Sequence, residues 1–149
     1  WEVQIETPGH RAIMNNIAGA IGLAQLNKID RFIARRRAID EHYRNELAAC
    51  SWLELPPIPE KHSESSHYFF WIQLEQRDKL AHFLRQNGVY STFRYWPLHK
   101  VRFFKHPGGG LPNAEYASRH TLNLPIHPDL SEDEVSKVIA LVKRFGRAR

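Results

Sequence analysis

NNIAGAIGLAQLNKIDRFIARRRAIDEHYRNEL, residues 15–47, contains no proline and places apolar side chains at 17, 21, 24, 29, 32, 33, 39, 43 and 47. Such spacing predicts one long amphipathic helix, with Asn15 or Asn16 as the N-cap whose side chain accepts from the first free backbone N–H groups. At a rise of 1.5 Å per residue it would span about 50 Å, whereas a compact chain of this length is roughly 38 Å across. The helix is therefore expected to outrun its own domain. The overhang falls at its N-terminal end, where Ile17, Ile21, Leu23 and Leu26 stay apolar while Arg35, Arg36, Arg37 and most acids come later. Something outside the chain should cover that end. Ala18, Gly19, Ala20, Gly22 and Ala24 form a small-residue patch beside it, and each glycine in a helix interior costs about 0.8–1 kcal/mol relative to alanine. Close backbone packing is the expected compensation.

Before this helix, Trp1, Val3 and Ile5 alternate with Glu2, Gln4 and Glu6 as in a short strand, which Thr7-Pro8-Gly9 then stops. The chain lacks an initiator methionine and begins in mid-pattern, as expected of a piece of a longer protein. After Cys50, prolines at 56, 57 and 59 make residues 53–58 an extended connector or edge strand. Residues 61–66 form a polar loop, and 68–74, YFFWIQL, read as a central strand buried on both faces. Residues 78–87 read as a short helix closed by Asn87-Gly88. A further strand is expected over 89–96, ended by Pro97, followed by a glycine-rich turn over 105–112, a helical turn or two over 113–120 and a short strand over 122–126. Ser131 and Glu134 form a capping box ahead of Val135, Val138, Ile139, Val142 and Phe145, which predicts a last amphipathic helix. The fold class is α+β, with helices covering one face of a small, mostly antiparallel sheet.

With 42% hydrophobic and 25% charged residues the composition is that of an ordinary globular domain. The net charge of +5 is spread along the chain, and the Arg35-Arg36-Arg37 run reads as a solvated helix face. A basic module binding RNA or another polyanion is the competing functional class, with Tyr90, Phe93, Tyr95 and Trp96 as its stacking platform. One cysteine, Cys50, excludes an intrachain disulfide and suits a reducing compartment. No apolar run is long enough for a membrane helix. Nine histidines raise the question of a metal, but HExxH and CxxC are absent and only His62 and His67 stand close, so no metal site is expected. Walker, G-x-S-x-G and G-x-G-x-x-G patterns are also absent. The candidate functional residues are polar groups beside turns: His10 and Arg11; Arg94, Tyr95, His99 and Lys100 around Pro97; and His127 between Pro125 and Pro128. Arg11, just ahead of a helix N-terminus, suits an anion, because free N–H groups and the helix dipole add to the guanidinium. For His99 and His127 the ordinary alternative is a structural histidine with its hydrogen bonds satisfied.

Three segments taken together carry a resemblance: GHRAIMNNIAGAIGLAQLNKIDRFIARRRAIDEHY (9–43), YSTFRYWPLH (90–99) and LNLPIHPDLSEDEV (122–135). In order and separation they resemble the C-terminal portion of the DegT/DnrJ/StrS family of sugar aminotransferases. The resemblance implies a cytoplasmic fold-type-I enzyme that uses pyridoxal phosphate and an amino donor on a keto sugar attached to a nucleotide. It also implies a homodimer with active sites between subunits. Residues 1–14 would then end the large, cofactor-holding domain, 15–50 would form a connecting helix, and 51–149 the small domain. Arg11 would contact the cofactor, and His10, Tyr95, His99 and His127 the substrate. None of Lys28, Lys61, Lys79, Lys100, Lys105, Lys137 or Lys143 stands in the family's Schiff-base context. The chain alone is thus expected to contribute no catalytic residue and to be inactive. It departs from the family where Gly-Tyr-Asn-Tyr-Arg is replaced by Gly9-His10-Arg11-Ala12-Ile13. Some relatives carry histidine instead of the lysine and are dehydratases, a distinction that lies outside this sequence.

Overall fold

The computed structural model describes residues 13–58, 64–93, 95–104 and 110–148. The expected first strand, the loop bearing His10 and Arg11, Arg94, and most of the glycine-rich turn lie outside the described residues. The chain divides into two units, Trp1–Arg31 and Phe32–Arg149.

In the first unit, helix α1 (Asn16–Leu26) starts as the sequence requires, with Asn15 Oδ1 accepting from the Ala18 N–H at 2.8 Å. None of its residues is buried. Ile17, Ile21, Leu23 and Leu26 are exposed, and a Cβ added at Gly22 would meet nothing within 4 Å. The packing expected on the small-residue patch is not supplied by the described residues.

The single helix expected over 15–47 is interrupted at Asn27-Lys28, and a second helix, α2, runs over Ile29–Leu47. Asn27 N–H still bonds Leu23 O, but Lys28 N–H bonds Gln25 O, three residues back, which tightens and ends the turn. Asparagine is a weak helix former because its amide competes for nearby backbone groups. Asp30 in the first turn of α2 then favours a new N-terminus.

In the second unit, Ile39, Tyr43 and Leu47 repeat every four residues along α2 and are all buried. They meet a two-stranded antiparallel sheet of β1 (Phe70–Gln73) and β2 (Thr121–Leu124). The register pairs Phe70 with Leu124 and Ile72 with Leu122, so four apolar side chains share the core face, since cross-strand partners point the same way. Trp71 and Gln73 on the other face are only half-buried, which corrects the expectation of a strand buried on both faces. Among the described residues of 89–96 the expected strand is reduced to one bridge, in which Thr92 and Asn123 exchange both backbone hydrogen bonds at 2.7 and 3.1 Å. Beyond it Pro97, which has no N–H to donate, leads into two short 3-10 turns at Leu98–Lys100 and Arg102–Phe104. Glu54 bridges Gln73 in the same way on the far side of β1.

Helix α3 (Arg77–Gln86) packs on α5 (Glu132–Arg147) and against β2, and α4 (Pro112–His120) lies against β1. Helix α3 ends at Asn87 followed by Gly88 at φ 77°, the left-handed conformation that glycine adopts without strain. The capping box of α5 is formed: Ser131 Oγ accepts from the Glu134 N–H at 3.2 Å and Glu134 Oε2 from the Ser131 N–H at 2.9 Å. Val135, Val138, Ile139 and Val142 are buried beneath it. Near its end, a Cβ on Gly146 would lie 2.3 Å from Trp52 Nε1.

The Tyr43 ring packs on Phe70 with centroids 5.0 Å apart, and its hydroxyl donates to Pro125 O at 2.8 Å. Tyr43→Phe keeps the ring and removes the donor, so it should lower unfolding free energy by about 1–2 kcal/mol. Equilibrium urea denaturation measures this, and an unchanged midpoint would mean that solvent replaces the bond. Gly146→Ala should also destabilise, by about 1–3 kcal/mol less the helix propensity that alanine adds. A Trp52 emission shifted to the red in that variant would show the indole pushed into water.

Candidate functional site

The LPIHP turn that leaves β2 and the bridge at Thr92 stand between two adjoining clefts. The larger, about 370 Å³, is walled by Gly88, Tyr90, His127, Glu134 and Lys137. The smaller, about 220 Å³, is walled by Arg36, Tyr68, Phe69, Ile126 and Pro128. Thr92, Asn123, Leu124, Pro125 and His127 belong to both. Their placement follows from the sheet: β2 ends at Leu124, Pro125 cannot extend the ladder, and the chain turns there with Ile126 buried and His127 left at the rim. In the larger cleft the Glu134 carboxyl is held below its ordinary range by the Ser131 backbone N–H and hydroxyl. The donors Lys137, Arg36 and Asn123 suit an oxygen-rich or anionic ligand.

Of the residues singled out from sequence, His127 lines both clefts. Tyr95 is exposed and makes an edge contact, at 6.2 Å between centroids, with Phe69 of the smaller cleft. His99 lines neither. Its side chain is buried at 8% exposure, with Nε2 lying 3.2 Å from Glu115 Oε1 on α4. Lys100 Nζ reaches the other carboxylate oxygen at 3.1 Å. Glu115 thus pins the 3-10 turn after Pro97 to α4. His10, Arg11 and Arg94 lie outside the described residues.

Arg36 and Asn123 were missed by sequence reasoning. Arg36 stands in a run that reads as a solvated face, and nothing local separates it from Arg35, which bonds Glu132 and Leu130 O across nearly a hundred residues. Asn123 did carry a local signal, a polar residue inside the apolar run LNLP. Among the described residues no group of three His, Cys, Asp or Glu side chains could hold a metal ion, and no helix is long and apolar enough to cross a membrane.

Hydrogen bonds from Lys100 and then His99 hold the Glu115 carboxyl below its ordinary 4.5. A lowered folded value means that the stabilisation is fully present above the unfolded value and is lost as pH falls through the folded one. Glu115→Gln should therefore flatten part of the acid limb of stability below pH 4.5 while leaving the slope near neutrality unchanged. Thermal unfolding midpoints from about pH 6 to about pH 3 check this; parallel acid limbs in the two proteins would refute it.

Comparison with known proteins gives this geometry its setting. The family model described as the DegT/DnrJ/EryC1/StrS aminotransferase family matches residues 2–143. The dTDP-4-dehydro-2,3,6-trideoxy-D-glucose 4-aminotransferase of Saccharopolyspora spinosa is 43% identical over 141 residues, covering 93% of this chain and 36% of that protein. Among solved structures, the aminotransferase TlmJ from Streptoalloteichus hindustanus is similar at TM-score 0.86 and 43% identity, over 99% of this chain and 40% of its own. Spr1654 from Streptococcus pneumoniae, in its PLP form, is similar at TM-score 0.82 and 26% identity, over 99% of this chain and 40% of its own. The chain therefore spans well under half the length of these relatives. Its α+β architecture is that of the aminotransferase small domain, and with the match over nearly all of its residues the chain belongs to the DegT/DnrJ/EryC1/StrS aminotransferase family.

Proposed function

We propose that this chain is part of a pyridoxal-phosphate-dependent aminotransferase that acts on a dTDP-linked keto sugar as a homodimer in the cytoplasm. The observation that carries the reading is the 43% identity, across almost the whole chain, to an aminotransferase whose substrate is such a sugar. It favours the enzyme over the polyanion-binding module, for which the net charge of +5 and the exposed Tyr90, Tyr95 and Trp96 speak.

The proposal assigns the seat of the cofactor mainly to residues outside this chain, and the described lysines support that assignment. Lys100 and Lys143 are paired with Glu115 and Glu46, Lys28 and Lys79 stand exposed, and Lys137 lies at an open cleft beside Glu134. These residues do not make a site that fits the cofactor. The chain's own proposed part is positioning, with Arg11 on the cofactor phosphate of the partner subunit and His10, Tyr95 and His127 towards the sugar, while His99 holds its turn to Glu115. Residues 1–14, 15–50 and 51–149 keep their proposed parts as the end of the cofactor domain, the connector and the small domain.

The longer protein carrying this chain, supplied with pyridoxal phosphate and an amino donor, should convert a dTDP-linked 4-keto sugar to its amino sugar. No conversion of any nucleotide-linked keto sugar would overturn the assignment. The isolated chain treated with pyridoxal phosphate and borohydride should carry no pyridoxyl group at a unique lysine. In the longer protein, Arg11→Ala should weaken cofactor retention by about tenfold to a hundredfold, since a charge-assisted hydrogen bond contributes about 1.5–3 kcal/mol. Mixing those subunits with subunits lacking the Schiff-base lysine should restore one kind of site. Unchanged cofactor affinity in Arg11→Ala would leave Arg11 a solvated loop residue.

A further inference from the structure

Two hydrogen-bond donors at the smaller cleft have no acceptor. Asn123 is only 5% exposed, its backbone is fully used by the exchange with Thr92, and its side-chain Nδ2 has no partner. Arg36 Nε is likewise buried and without a partner. Other arginines of α2 are employed: Arg35 binds Glu132 and Leu130 O, and Arg44 binds Asp40 and Pro56 O. Both orphan donors belong to walls of the same 220 Å³ cleft, and among the described residues no Asp or Glu lines it. Leaving a buried donor unpaired costs stability, so two of them on one cleft mark a place where an acceptor from outside completes the site.

The donor set defines the acceptor. A guanidinium edge presents parallel N–H groups to two oxygens, the geometry of a carboxylate. The Asn123 amide adds a neutral donor. The remaining walls, Tyr68, Phe69, Ile126 and Pro128, suit a short carbon skeleton. The two unpartnered donors match the two oxygens of a carboxylate more closely than the larger oxygen set of a phosphate. We propose that this cleft binds a small carboxylate through Arg36 and Asn123. The inference rests on the orphan donors and not on the aminotransferase reading, so either can fail without the other.

The test is 1H–15N NMR of the full chain titrated with acetate, with inorganic phosphate run in parallel at matched ionic strength. The Asn123 side-chain amide and the Arg36 Nε–H resonances should shift saturably with acetate. Arg36→Met and Asn123→Leu should each weaken binding at least tenfold. Leucine is close to asparagine in shape and removes the orphan donor, so Asn123→Leu should melt no lower than the parent, which separates lost binding from lost fold. Shifts that do not saturate, as for a site holding only a resident water, would overturn the proposal. So would equal acetate affinity in the variants, or tighter binding of phosphate than of acetate.

Discussion

The contact between Tyr43 and both strands at one end of the small sheet, where Phe70 pairs with Leu124, is what the second unit depends on. A sheet of two short strands has little stability of its own and needs a helix packed on its apolar face. Tyr43 supplies this twice over, its ring on Phe70 of β1 and its hydroxyl on the carbonyl of Pro125 just past β2. Burial pushes its phenol well above the usual range, so it stays a neutral donor. One turn back on α2, buried Asp40 accepts from Arg44 Nε at 2.5 Å and lies 3.5 Å from His67 Nδ1, while Arg44 donates to Pro56 O at 2.7 Å. Helix α2 thereby fixes the connector, the entry to β1 and the exit of β2 together. A buried carboxylate of this kind is costly unless every partner is present, which makes the arrangement all-or-none.

The clefts inherit that geometry. Pro125, held from below by Tyr43, begins the turn that sets His127 at the rim, and Asn123 two residues earlier sits between its pairings with Trp71 and Thr92. Among the described residues only Thr92 pairs on that side, and Tyr95, Trp96, Leu98, Phe103 and Phe104 beyond it are exposed. Glu115, through His99 and Lys100, is what ties this segment back to α4. The segment therefore carries exposed apolar side chains while held to α4 at Glu115. The exposed face of α1 has the same character.

What the sequence determined by itself was whatever a local pattern encodes. Asn15, Ser131 with Glu134, and Asn87 before Gly88 marked helix ends, because capping is settled within four residues. The i, i+4 spacing of Ile39, Tyr43 and Leu47 marked the buried face of α2, and the YFFWIQL run marked β1. The ordered segments around Arg11, His99 and His127 marked the family, although the placement of Arg11 lies outside the described residues. Tertiary structure alone decided the rest. The alternating stretch over 89–96 reads as a strand, yet whether it pairs depends on the neighbouring edge, and among its described residues only Thr92 finds a partner. A continuous apolar stripe over 15–47 did not reveal the break at Asn27-Lys28, where the Lys28 N–H turns back to Gln25 O and none of the α1 residues before it is buried. Arg35 and Arg36 are indistinguishable in a basic run; one meets Glu132 and the other keeps an unpaired Nε, because partners some ninety residues away are chosen by the packed core, which no local periodicity specifies.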